Sequence, residues 1–480
     1  MMQDAVPRRL IMLRYAATVV ITLILTATSF AQWSSDPSLN LALADNNNGS
    51  DQVQPKLVWH GQSGGYVSWF DANPSSPKPV GYDVFYQRLN QAGYEQLPHD
   101  GLMVADLSNS STEDYGLDAD AHGNALIAFL DTREGSNQQI TAVKMGPEGK
   151  QLWGRFGVQL TSGSASSNFA PKIAATTDGG IIVVWTSNSN VVAQKLNAQG
   201  QPQWGAGVVF SESGYNYLLA DLHAADNGSV IISWVREKGF GSNATLVANK
   251  ISTSGALLWG ASNLPIFTNG SLQFGNFPYF VPDGSGGAVF AWYTNSPALQ
   301  CFAQHILAKG TPAFAAGGVA VSGDTVNVRV APSAAYRSDT GEVFVFWTEE
   351  DFNQVVNGVY GQKFNSSGAA QWGANGLVLV PLGADQQEFV TAVQVGTGAL
   401  VFWVDAVGFG DSTIQAARLD DSGAFGCSQF AVSSTPSTKS RLAATTNASG
   451  NAALVWEDDR IGNNGIYIQN VNTNCSLGLK

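Results

Sequence analysis

Charge is scarce in this chain. Only 13% of its 480 residues are Asp, Glu, Lys or Arg, about half the usual share. The 24 basic residues are outnumbered by 37 acidic ones, and no basic stripe interrupts the sequence. An acidic surface repels phosphate backbones, so nucleic acid is excluded as a partner. Cysteine is rarer still, with three copies, too few for a disulfide framework. An odd count leaves at least one thiol free or paired between chains. Cys427 and Cys475 lie after corresponding strands of the last two sequence units and could pair, while Cys301 stands alone. Long apolar runs are also missing. The run Ala16 to Leu25 is too short to span a bilayer, and no later stretch approaches the length of a membrane helix. Preceded by Arg8, Arg9 and Arg14 and followed by Ser29-Phe30-Ala31, it reads as an export signal over residues 1–31. The Arg8-Arg9 pair alone is weak support for twin-arginine export. Removing three Arg and one Asp takes the formal charge from −13 to −15. The expected product is exported, with no transmembrane segment, starting near Gln32.

What is abundant is repetition. An apolar run closed by an aromatic recurs at Trp69, Phe129, Trp185, Trp234, Trp292, Trp347, Trp403 and Trp456. The spacings are 60, 56, 49, 58, 55, 56 and 53 residues, a period that marks a β-propeller or similar array. Each unit opens with a short strand and a turn of the Asp178-Gly179 kind, which supplies the positive φ a tight hairpin needs. The second strand is nearly all apolar, as expected of one covered on both faces. The third carries a polar residue at a fixed place (Gln87, Gln194, Asn249, Gln304, Gln362, Gln469), with Val143 and Ala417 as departures. In the first seven units a Gly follows six residues later. Four residues beyond it an aromatic starts the fourth strand at Trp153, Trp204, Trp259, Phe314 and Trp372.

The eighth unit ends after its third strand, Ile466 to Val471. Its missing fourth strand matches the segment after Gln32-Trp33. The expectation is therefore an all-β, eight-bladed propeller over residues 32–480. Its N-terminal strand completes the last blade and closes the ring, leaving no open end. Trp456-Glu-Asp458-Asp-Arg460, Ala193-Gln194-Lys195-Leu196 and Gln371-Trp372-Gly373 resemble the repeats of secreted bacterial β-propeller proteins, many of them uncharacterised. The resemblance covers the mature chain and implies fold and export only.

Candidate sites are few. Gly61-Gln62-Ser63-Gly64-Gly65 fits the nucleophile-elbow pattern, but it occupies a hairpin turn with no helix to follow. His60, His99, His122, His223 and His305 are scattered singly and read as surface or lightly buried residues. Asp118-x-Asp120 lacks the further acids of a calcium loop. Five units place an acid two residues after the repeat aromatic: Asp71, Asp131, Glu349, Asp405 and Asp458. Locally these carboxylates accept backbone N–H bonds, with Arg133 and Arg460 as partners in two units. In a ring they would gather on one face, where calcium is the cation they suit; otherwise no cofactor is expected. The loops beyond them vary most and carry aromatics, among them Phe240, Phe352 and Phe409, beside links bearing Tyr215, Tyr217, Phe274, Phe277 and Tyr279. These suit either sugar stacking or plugging of the ring, with plugging preferred. The function expected on this reading is a non-catalytic binding or interaction module whose partner is a polysaccharide or another extracellular protein. The competing reading is a polysaccharide-active enzyme, a glycoside hydrolase or lyase, with carboxylates drawn from several blades. The sequence leaves the ligand and the oligomeric state open.

Overall fold

A computed structural model of the chain describes residues 32–479, apart from 47–48, 62–63, 73–80, 110–112, 133–137, 164–165, 240, 409 and 448. The export signal, Gln62, Ser63, Arg133, Phe240 and Phe409 therefore lie outside the described residues. The remainder is eight antiparallel sheets, seven of four strands and one of five. The only helical element among the described residues is the short 3-10 turn Asp226–Gly228. The first strands of successive blades pack against one another around the ring, and that of blade 8 packs on that of blade 1. The first strand is thus innermost and the fourth outermost. The eight-bladed propeller expected from the repeat is the fold observed.

Closure happens as the split repeat implies. Leu41–Ala44 pairs antiparallel with Gly465–Val471, Leu41 opposite Ile468 and Ala44 opposite Ile466. The ring is thereby sealed by two segments more than 400 residues apart in sequence.

The blade-to-blade latch explains the Gly and Trp columns. The indole of each fourth-strand Trp lies on the turn glycine of the next blade and donates its Nε1–H to a carbonyl two residues before that glycine. Trp153 donates to Ala198 (3.0 Å), Trp204 to Thr253 (3.1 Å), Trp259 to Ala308 (3.0 Å) and Trp372 to Asp421 (3.4 Å). Trp33 does the same to Gln91 of blade 1 (3.1 Å), so the seam uses the ordinary device. Gly93 has φ +82°, and a Cβ there would sit 2.6 Å from the Trp33 ring, so only glycine serves. The third-strand Gln fixes the Trp in place: Gln194 accepts the backbone N–H of Trp204 (2.9 Å) and donates to Gly205 O (2.9 Å). Blade 7 lacks both the Gln and the Trp, and a disulfide takes over. Cys427 occupies the Trp place and Cys475 the Gly place, and the two are bonded. Cys475 keeps the positive φ, +68°, of the residue it replaces. Cys301 is buried and free.

The repeat aromatics form the hydrophobic layers between blades. Trp69, Trp234, Trp292, Trp347, Trp403 and Trp456 are completely buried, and Trp185 nearly so.

The innermost strands carry a recurrent kink. Gln54, Ala170, Ala331, Phe389 and Arg441 hold φ between 49° and 57°, and the pairing register skips there in each strand. Three of these kinks are followed by Pro55, Pro171 and Pro332, tolerated because an innermost strand is a sheet edge. Such a bulge re-aims the next side chains. In blades 1, 3 and 6 those are Lys56, Lys172 and Ser333.

Candidate functional site

The five post-aromatic acids are turned into their own surroundings. Glu349 is buried and accepts the indole N–H of Trp347 (2.7 Å) and an Arg329 N–H (2.9 Å). Asp458 is likewise held by Trp456 Nε1 (2.9 Å), Ser437 Oγ (2.6 Å) and Arg460 Nη2 (2.5 Å). Burial raises its pKa, but Arg460 and Lys439 more than offset this and leave it lowered. Asp405 accepts from Gln387 (2.7 Å) and Asp131 from Thr141 (2.7 Å). Asp71 accepts long bonds from Asn46 and Ser50 (both 3.4 Å) and a side-chain bond from Gln52, but burial outweighs them and pushes it up to about 6. The Trp-x-acid motif thus supplies an acceptor for a buried indole in blades 6 and 8.

Other motifs settle as turns. His60 N–H closes on Gly64 O (2.8 Å) across the elbow-like motif. Asp120 accepts from the Asn124 amide (2.9 Å) and pairs with Lys144 (2.6 Å). The histidines differ among themselves. His305 is buried against Asp283 (3.0 Å), a departure from the surface reading. His99 clasps the seam between Asp45 (2.8 Å) and Glu95 (3.1 Å), and those carboxylates lift its pKa to about 10. Most of the described loop aromatics are not buried as a plug would be. Phe277, Tyr279 and Phe352 are exposed, and Tyr215 carries the Arg236 guanidinium 3.4 Å above its ring. Tyr217 alone of the link residues is fully buried.

Sequence reasoning missed the polar cluster on the innermost strands. Thirteen residues before the repeat aromatic, one column of the repeat reads Lys56, Gly116, Lys172, Asp221 and Tyr279 in blades 1 to 5. Lys56, Lys172 and Asp221 sit opposite Ser68, Val184 and Ser233, each immediately before its repeat Trp, so the column is one level of the ring. Gly116 is needed there because a Cβ would lie 2.6 Å from the Ile173 backbone. Asp114, just ahead of it, bridges two ammonium groups: Lys56 Nζ at 2.6 Å and Lys172 Nζ on its other oxygen. Burial favours protonating Asp114, yet Lys172 and Lys56 hold it well below the usual carboxylate range. Lys172 also stands 5.1 Å from the centre of the Tyr279 ring.

Asp221 accepts from the Phe280 N–H (3.0 Å) and from His223 Nε2 (3.0 Å). Burial opposes charge on His223, but Asp221 wins and raises its pKa; Asp118 adds to the effect and Lys172 reduces it. The groups are thus close enough to feel one another's charge. Asp221 and Lys172 are buried, His223 and Lys56 are partly open, and Tyr279 is 62% exposed. A carboxylate-oriented imidazole, a phenol and two ammonium groups therefore lie on the innermost strands of neighbouring blades, residue types that suit acid–base chemistry on a bound anion.

No family profile matches the chain, and no curated protein does. Solved structures resemble it. The polysaccharide lyase Uly1 does so with TM-score 0.44 and 10% identity over 89% of this chain and 91% of its own. An ulvan lyase gives 0.46 and 10% over 93% and 96%. An α-L-arabinanase from Penicillium chrysogenum gives 0.38 and 10% over 76% and 94%. The expectation of a non-catalytic module is corrected at this point: the three structures just named are enzymes, and the competing reading, a polysaccharide-active enzyme, is the one carried forward. A likeness this distant assigns no activity, so any activity has to be argued from the cluster itself.

Proposed function

We propose that the protein is an exported polysaccharide-active enzyme whose reacting sugar sits over the innermost strands of blades 1 to 5. The observation that supports this is the oriented pair Asp221–His223 (3.0 Å) at the level of Tyr279, Lys172 and Lys56. An acid–base catalyst requires a histidine oriented by a carboxylate and left partly open, and His223 meets that requirement. The exposed rings of Phe277, Tyr279 and Phe352 offer apolar faces to neighbouring sugars. Export agrees with the Cys427–Cys475 bond, which persists in oxidising compartments. Among the described residues no helix is long and apolar enough to cross a membrane.

The test is incubation with a panel of plant, algal and bacterial polysaccharides, followed by size analysis of the products. Chain shortening by the parent and not by His223→Ala is the expected result. A parent that shortens none of them refutes the enzyme reading.

A further inference from the structure

Lys56 and Lys172 have donors to spare. Each ammonium carries three N–H groups, and among the described residues the only hydrogen-bonding partner of either is the shared Asp114. Lys172 is more than nine-tenths buried, so its unused donors have little water to turn to. Asp114 and Asp221 offset the two ammonium charges at this level, so what it offers an anion is unused N–H donors rather than excess positive charge. Two carboxylates facing each other, as glycoside hydrolysis needs, are not provided here. Asp114 is occupied by the lysines and Asp221 by His223 and Phe280.

We propose that the reacting sugar is a uronate, its carboxylate held by Lys56 and Lys172, and that the glycosidic bond breaks by β-elimination rather than hydrolysis. This rests on the enzyme reading above. Asp221 fixes the His223 proton on Nε2 and leaves Nδ1 as the base. Nδ1 takes the proton from the ring carbon next to the carboxylate. The freed electron pair forms a double bond to the neighbouring carbon, whose bond to the bridging oxygen breaks. That oxygen takes the proton of the Tyr279 hydroxyl. No water is consumed, and the imidazolium and phenolate return to neutrality by exchange with solvent. The lysines stabilise the second negative charge that develops on the carboxylate, where preorganised donors have most effect. Asp114 is a positioning residue: it touches no substrate and keeps the two ammonium groups together.

The experiment uses the whole exported protein on polygalacturonate, polyglucuronate, alginate and hyaluronan, and on the same polymers with carboxyls reduced to alcohols. The expected result is ultraviolet absorbance from an unsaturated uronate end with at least one acidic polymer, and none with its reduced form. Lys172→Gln is expected to lower turnover by roughly 100-fold or more, with a lower melting temperature from the broken buried pair but a parental circular dichroism spectrum at the assay temperature. Asp114→Asn should raise KM more than it lowers kcat. New reducing ends without absorbance, or equal cleavage of the reduced polymer, overturn the elimination while leaving an enzyme. Lys172→Gln with parental rates and an unaltered fold overturns the anion site. A parent that cuts nothing overturns both readings.

Discussion

Blades 1 to 5 and blades 6 to 8 share a backbone and differ in where their charges go. On the first side the column thirteen residues before the repeat aromatic holds Lys56, Lys172, Asp221 and Tyr279; on the second, near the same step, it holds Ser333, Thr391 and Ala443. The second side has charges too, but they are used inside the blades. Arg329 is fully buried on Glu349 (2.9 Å), and Lys439 donates to Ser412 O (2.9 Å) and lies 3.5 Å from Asp458. Burial pushes the Lys439 pKa down to about 8, against the attraction of Asp458. Apart from Gly116, which close packing on blade 3 requires, this column takes Lys, Asp, Tyr, Ser, Thr or Ala on the same backbone, so it is where chemistry can vary without disturbing the fold.

The largest expected effect lies on the first side. His223→Ala should reduce turnover by roughly 100- to 10,000-fold while leaving the melting temperature near that of the parent, because the side chain is partly open. Rates across pH sharpen the comparison. Since Asp221 raises the His223 pKa, a base role predicts activity that climbs as pH rises through that raised value. A flat profile, or a normal rate in the variant, would remove His223 from the mechanism.

On the second side the expected loss is of stability instead. Trp347 is completely buried and donates its indole N–H to Glu349. Trp347→Ala should cost about 3–5 kcal/mol and leave Glu349 without that donor. Urea unfolding followed by fluorescence measures it, and an unchanged midpoint would show that the blade interface relaxes around the gap.

The two kinds of latch can be compared directly. Between blades 7 and 8 the Cys427–Cys475 bond replaces the stacked Trp and Gly found at the seam as Trp33 and Gly93. The bridged residues are 48 apart, so removing both sulfurs with Cys427→Ser and Cys475→Ser should cost about 2–4 kcal/mol. Melting with and without reductant checks this in the parent as well. A parent indifferent to reductant would mean that the neighbouring packing suffices.

The sequence made the first kind of column legible and hid the second. Trp33, Gly93, Gln194 and Trp204 recur because most blades use the same latch, so their spacing announces the ring and even its split eighth blade. Lys56, Lys172 and Asp221 belong to one column as well, but there the residue type changes from unit to unit. A search for what repeats passes over them. Asp114 meets Lys56 and Lys172 from neighbouring blades, each 58 residues away, a separation that no local pattern records. The signal that would have found them is the reverse of a motif: a column aligned by the repeat in which charged residues replace Ser, Thr and Ala. Motif reading favoured Asp71, Asp131, Glu349, Asp405 and Asp458 because they do repeat, and repetition marks what the blade needs.

The smallest expected effect tests whether any of those five can also serve a ligand, and Asp71 is the one to ask. Its burial lifts the pKa to about 6, against hydrogen bonds from Gln52, Ser50 and Asn46 that favour the charge. A carboxyl whose folded pKa exceeds its unfolded value of about 3.9 binds more protons when folded. Stability therefore falls as pH rises from about 4 to about 6, by at most roughly 2–3 kcal/mol. Asp71→Asn removes the ionisation and should melt higher than the parent at neutral pH, with the difference vanishing near pH 4. Calcium sharpens the contrast. A cation bound at Asp71 would favour the ionised form and raise the parental melting temperature at neutral pH, while leaving Asp71→Asn unmoved. Equal melting of parent and variant across the whole pH range would show that Asp71 ionises as freely in the folded chain as in the unfolded one.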